Sequence, residues 1–170
     1  MLCDASDVTP ADAGDYRVVI SNTGGSTNSA TATLVVNAVT DPFVTWATGA
    51  GLTGDNAQPG ADADGDGANN LAEFYYGTSP TAGAERPSFP VANVNVGGVD
   101  YPAVTIIRRQ SAGTAQLTTL VASSVLFADN LGSTVVSATP LPDGFERVVI
   151  RSNAPEATQQ NQFFRLTVQQ

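Results

Sequence analysis

Apolar and polar residues alternate near the start of the chain, which is typical of a half-buried strand. Residues 15–21 (DYRVVIS) and 30–36 (ATATLVV) are rich in β-branched side chains, and a turn sequence at 22–25 separates them. Within the first run, the alternate residues from Tyr16 to Ile20 share one face. The pattern predicts an antiparallel hairpin with one apolar side.

The same period of two returns after about residue 87 and continues to the end of the chain. Gly-, Asp- and Asn-rich turn sequences separate most of the runs. Val148 and Ile150 on one strand, and Phe164, Leu166 and Val168 on another, are the candidate core residues. This spacing predicts a mainly β fold, an antiparallel β-sandwich. The six predicted strands span residues 91–96, 101–109, 115–122, 133–138, 145–151 and 162–169.

The central segment has a different pattern, which predicts two short helices around an acidic loop. Asp41-Pro42 fits a helix start, and a second helix is predicted over residues 71–76, ending at Gly77. The predicted domains are therefore an incomplete N-terminal hairpin (residues 1–38), a helix–loop–helix segment (39–83) and the β-sandwich (84–170).

Charge and composition remove several classes of function. The formal net charge is −9, and all seven basic residues are arginines, with no lysine and no histidine. An acidic surface repels phosphate backbones, so we expect no nucleic-acid partner. Histidine-dependent nucleophilic catalysis and lysine Schiff-base chemistry are excluded. Cys3 is the only cysteine. We expect no membrane insertion, because no apolar run is long enough to span a bilayer.

The acidic loop, residues 62–73, has the ligand spacing of an EF-hand calcium loop. Calcium prefers oxygen ligands, and such loops place them at positions 1, 3, 5, 7, 9 and 12, with glycine at position 6. Gly67 occupies that sixth position. The sequence therefore predicts a Ca²⁺ site, with calcium favoured over the smaller Mg²⁺. Its ligands would be Asp62, Asp64, Asp66, Ala68 through its backbone carbonyl, Asn70 directly or through water, and Glu73.

Two resemblances to known families follow from these residues. The D-x-G-x-Y pattern of Asp12, Gly14 and Tyr16, with Val18 where antibody domains have a cysteine, resembles the last strands of an immunoglobulin-like domain. It covers only about 35 of the roughly 100 residues of that fold, which implies that the chain begins inside a domain. The loop resembles the calcium loops of dockerin and thrombospondin-type-3-like segments, although dockerins carry two loops and one is visible here. Together the resemblances imply the C-terminal region of a secreted bacterial multi-domain protein, located outside the cell or on its surface.

Three functions remain open. The first is a calcium-stabilised extracellular structural or adhesive module without catalysis. The second is a calcium-dependent hydrolase of a small ester or lactone, with Asp55 or another nearby carboxylate as the base. The third is self-association, in which the N-terminal hairpin adds a strand to a second copy of the chain and gives a dimer or a filament. Of these functions only the second is enzymatic, and the residues favour a role without catalysis over it.

Overall fold

The structure is a computed structural model that describes residues 9–36 and 41–170. The chain divides into two compact units, Met1–Thr40 and Asp41–Gln170. Cys3, the first residues of the chain and the predicted domain boundary at 38/39 lie outside the described residues. The two units are described separately below.

The N-terminal unit contains the predicted antiparallel hairpin. Its strands are β1 (Gly14–Tyr16), β2 (Val19–Asn22), β3 (Gly25–Asn28) and β4 (Ala32–Leu34), with β2 paired to β3 and β1 paired to β4. The second half of the hairpin begins earlier than predicted and is interrupted. At the interruption the Ser29 hydroxyl accepts a hydrogen bond from the backbone N–H of Val18 at 3.0 Å, so a side chain replaces a ladder bond there.

A hydrogen bond from the Tyr16 side chain connects β1 to the residues that precede the hairpin. The Tyr16 hydroxyl donates to the backbone carbonyl of Asp12 at 2.7 Å. Tyr16 is still 52% exposed, and Val18 and Ile20 are each 62% exposed. The apolar side of the predicted hairpin is therefore present but lies open in this structure.

In the second unit, two short helices form where the sequence predicts them. Helix α1 (Pro42–Gly49) begins with proline, and the Asp41 carboxylate accepts a hydrogen bond from the N–H of Phe43 at 2.9 Å. Helix α2 (Asn70–Tyr76) ends at Gly77, which adopts the left-handed conformation with φ of 81°. The N–H of Gly77 donates to the Glu73 carbonyl at 2.7 Å, as is typical of a glycine C-cap.

Six antiparallel strands follow, and each lies within two residues of its predicted ends. The strands are β5 (Val91–Val96), β6 (Val99–Arg109), β7 (Gln116–Ala122), β8 (Ser133–Pro140), β9 (Phe145–Ser152) and β10 (Phe163–Gln169). Strands β5, β6, β9 and β8 form a four-stranded sheet in that order, and β7 pairs with β10 in a two-stranded sheet. The prediction of a mainly β, antiparallel fold is confirmed.

One hydrophobic core joins the helices to both sheets. Val148 and Ile150 of β9 are buried, as predicted. The β10 candidates, Phe164, Leu166 and Val168, are half-buried and pack against the same core. The helices supply most of its aromatic residues, with Phe43 and Phe74 almost fully buried. The acidic loop thus joins directly to helix α2, whose side chains belong to the core.

Candidate metal centre

The acidic loop is organised by hydrogen bonds from its own backbone. Asp62 accepts from the N–H of Gly65 at 2.8 Å through Oδ1 and from the N–H of Gly67 at 2.9 Å through Oδ2. Asp66 Oδ1 accepts from the N–H of Ala68 at 2.7 Å. Gly65 and Gly67 have φ of 77° and 93°, values that favour glycine. These contacts bend the chain around its carboxylates.

The bend brings three predicted ligands together. Asp62, Asp64 and Asp66 each offer one carboxylate oxygen, and these three atoms lie within 4.8 Å of one another. Asp62 is exposed, Asp64 is half-buried and Asp66 is only 4% exposed. Asp64 Oδ2 and Asp66 Oδ2 are buried and accept no hydrogen bond from the residues described.

Glu73 adds a fourth carboxylate in an unusual environment. Its side chain is fully buried, and neither carboxylate oxygen has a hydrogen-bond partner within the part of the chain that the structure describes. Burial, followed by the negative charges of Asp64, Asp66 and Asp62, raises the pKa of Glu73 from 4.5 to about 7. A buried carboxylate without partners is costly, and three nearby aspartates increase that cost.

Asn70 supplies a buried neutral oxygen. Its side-chain amide nitrogen donates to the backbone carbonyls of Asn56 at 2.7 Å and Gln58 at 2.9 Å. Because both amide protons are used, the orientation of the amide is determined, and Oδ1 is left buried without a hydrogen-bond partner among the described residues. Asn56 and Gln58 were not foreseen from the sequence, since every residue carries a carbonyl and no side-chain pattern marks these two.

Ala68, the remaining predicted ligand, lies half-buried in the loop. Its backbone N–H donates a hydrogen bond to Asp66 Oδ1. Ligation by its carbonyl oxygen stays a prediction from its position in the loop.

The segment that follows α2 folds back onto the acidic loop, which the sequence did not predict. A Cβ atom at Gly83 would lie 3.5 Å from the Asp64 carbonyl oxygen and 3.5 Å from Asp66 Cβ, so the backbone passes close to the aspartates. Arg86 Nε lies 3.4 Å from Asp66 Oδ2, an ion pair without hydrogen-bond geometry. Arg86 therefore places a cationic side chain beside the loop.

Other candidate residues have ordinary structural roles. Trp46 packs against Phe43 and Phe74, and Tyr75 is buried, so these rings belong to the core. Asp55, the base considered for hydrolysis, lies exposed in a short 3₁₀ turn, Gly54–Ala57.

The donor set is chemically suited to a hard cation. It consists of carboxylate and amide oxygens, the ligands that Ca²⁺ and Mg²⁺ take in proteins.

Comparison of the chain with protein-family models, curated proteins and solved structures finds no significant match. No helix in the described ranges is both long and apolar enough to cross a membrane.

Proposed function

We propose that residues 62–73 bind Ca²⁺ through Asp62, Asp64, Asp66, Ala68, Asn70 and Glu73. The observation that carries this proposal is Glu73, whose two buried carboxylate oxygens have no partner among the described residues. A divalent cation would supply the missing partner and neutralise the repulsion that raises the pKa of Glu73. Acidic surface turns are common, but they do not bury an unpartnered carboxylate beside three others.

Calcium fits this donor set better than magnesium. Among the described residues, the oxygens without a hydrogen-bond partner come from Asp64, Asp66, Asn70 and both atoms of Glu73, which is a large shell when Asp62 and Ala68 are added. Ca²⁺ takes six to eight oxygens in a flexible geometry, whereas Mg²⁺ requires a near-ideal octahedron and retains water. A bidentate glutamate at position 12 is also characteristic of calcium loops.

The role that follows is a calcium-stabilised extracellular structural or adhesive module without catalysis. Glu73 and the core residue Phe74 are neighbours on α2, so an ion held by Glu73 would fix the helix that carries much of the aromatic core. Extracellular modules bind calcium with dissociation constants of about 10⁻⁴–10⁻³ M. Placement outside a bacterial cell, where calcium is sufficient for such a site, belongs to the same proposal.

The wider architecture is proposed on similar grounds. The hydrogen bond from Tyr16 to the Asp12 carbonyl is the contact that a tyrosine corner makes, which supports an immunoglobulin-like origin for the hairpin. The four-stranded and two-stranded sheets of residues 91–169 contribute to one core, which supports a sandwich. We therefore interpret the chain as part of a secreted multi-domain protein.

The test is calcium titration by calorimetry on protein freed of metal with a chelator. We expect one site of about 10⁻⁴–10⁻³ M, weaker binding of Mg²⁺, and a melting temperature that rises with calcium. Asp64→Asn should weaken binding at least tenfold, while Asp143→Asn, which removes the same charge from an exposed turn, should leave it unchanged. A metal-freed, folded protein that takes up no Ca²⁺ at several millimolar contradicts the proposal.

Self-association through the N-terminal hairpin is a second candidate, favoured by exposed apolar side chains. Val18, Val19, Ile20 and Val35 are 60% to 71% exposed, and two-stranded hairpins are marginal in water unless something covers them. Sedimentation across micromolar to millimolar concentrations should show a dimer or larger species that Ile20→Thr weakens. A folded protein that stays monomeric over the whole range excludes this candidate.

A further inference from the structure

Arg86 is the only basic residue within ion-pair distance of the acidic loop among the described residues. Its Nε lies 3.4 Å from Asp66 Oδ2, and the two side chains differ sharply in exposure. The Asp66 side chain is 1% exposed, whereas that of Arg86 is 64% exposed. The buried partner is fixed by the loop, and the exposed partner is free to leave without breaking the core.

The position of Arg86 results from the path of the chain after α2. The left-handed Gly77 turns the chain at the end of the helix, and Gly83 then passes against Asp64 and Asp66. The N–H of Glu85 donates to the Ala82 carbonyl at 2.8 Å, which closes a turn immediately before Arg86. The contact is thus set by a segment that packs on the loop at two places, which distinguishes it from a chance surface pair.

We propose that Arg86 is a built-in competitor for the divalent cation, a statement that rests on the proposed calcium site. The oxygen beside Arg86, Asp66 Oδ2, is also one that the cation would ligate at about 2.3–2.6 Å. A guanidinium and a divalent ion cannot share this oxygen without strong repulsion. Calcium binding therefore displaces Arg86 from Asp66, and Arg86 keeps the affinity of the loop lower than its carboxylates alone would give.

The binding test compares two variants that remove the same charge. Arg86→Gln removes the competitor, while Arg147→Gln removes an arginine that is exposed on β9 and lies in no ion pair of the described residues. By calorimetry at low ionic strength, we expect Arg86→Gln to bind calcium about fivefold more tightly than the wild type. Arg147→Gln should stay within about twofold of the wild type. The advantage of Arg86→Gln should shrink in 1 M salt, because screening weakens the pair.

The displacement itself can be observed by NMR. The protein has seven arginines, so at most seven signals are expected from arginine Nε–H groups. The signal absent from Arg86→Gln identifies Arg86 in the wild type. Calcium should shift that signal and make its exchange with water faster, since Arg86 loses its buried partner. The Arg147 signal should remain in place.

The outcomes separate the two proposals. If neither the wild type nor Arg86→Gln binds calcium, the metal site itself is wrong. If the wild type binds calcium but Arg86→Gln binds with equal or lower affinity, or the Arg86 signal does not respond, Arg86 is not a competitor, and the calcium site still stands.

Discussion

The most demanding prediction concerns Glu73→Gln, which replaces a buried charge by a neutral side chain of nearly the same shape. In the absence of metal the wild-type protein must hold a carboxylate with no partner among the described residues, beside three aspartates. The amide removes that charge but leaves the packing of α2 unchanged. We therefore expect Glu73→Gln to be more stable than the wild type when calcium is removed and less stable when calcium is abundant.

The size of the stability difference between Glu73→Gln and the wild type follows from the pKa of Glu73. Burial and the neighbouring aspartates raise the pKa of Glu73 from 4.5 to about 7, so the folded state binds this proton more tightly than the unfolded state. The contribution of Glu73 to the free energy of unfolding is therefore highest below pH 4.5 and is lost as the pH rises through about 7. The full shift corresponds to about 3 kcal/mol, and solvent screening around the exposed Asp62 reduces this to about 2 kcal/mol.

The assay is urea unfolding followed by the fluorescence of Trp46, the only tryptophan, whose ring centroid lies 5.6 Å from that of Phe74 on α2. In chelator, Glu73→Gln should exceed the wild type by about 2 kcal/mol at pH 8 and match it at pH 4. Glu85→Gln, which removes an exposed charge on the following segment, should match the wild type at both pH values. In 10 mM calcium the order of Glu73→Gln and the wild type should reverse, because the amide loses the bidentate ligand.

Two results would refute this reasoning. If Glu73→Gln is less stable than the wild type in chelator at pH 8, the carboxylate is stabilised by protein contacts and does not need a cation. If the difference between Glu73→Gln and the wild type is the same at pH 4 and pH 8, Glu73 does not carry the raised pKa.

Two further predictions each compare a variant at a site of close contact with a matched control variant. Asn70→Asp places a carboxylate oxygen against two backbone carbonyls, so its calcium affinity should fall about tenfold despite the added negative charge. Asn69→Asp adds the same charge at the N-cap of α2, and calorimetry should find its calcium affinity equal to that of the wild type or higher. Gly77→Ala would place a Cβ atom against the ring of Phe145 at φ of 81°, and urea unfolding should show a loss of about 2–4 kcal/mol. Gly97→Ala, at φ of 62° with nothing within 4 Å, should lose about 1 kcal/mol. Equal effects within either pair would contradict the contact on which it depends.

The elements that the sequence predicts well are those determined locally. Strand positions follow from alternation between Gly- and Asp-rich turns, and α1 and α2 follow from their caps at Asp41 and Gly77. The grouping of Asp62, Asp64 and Asp66 was predictable for the same reason, since their spacing within five residues determines how they converge.

What the sequence did not predict depends on contacts between separate segments. The Asn70 amide donates two hydrogen bonds to the backbone carbonyls of Asn56 and Gln58, which no side-chain pattern reveals. The contact of Arg86 with the loop depends on the direction of the chain after Gly77. The interruption of the hairpin depends on a single side chain, Ser29, taking a backbone partner. In each case the determining interaction lies far along the chain or uses atoms common to all residues.

The succession of Glu73 and Phe74 on a helix of only seven residues has a consequence for how such a protein could mature. Glu73, the last of the proposed calcium ligands, and Phe74, a central ring of the core, share one helical turn, so the order of one constrains the other. Under the proposed calcium binding, this helical turn would be less ordered wherever calcium is scarce. Binding of the ion would then complete the folding of α2.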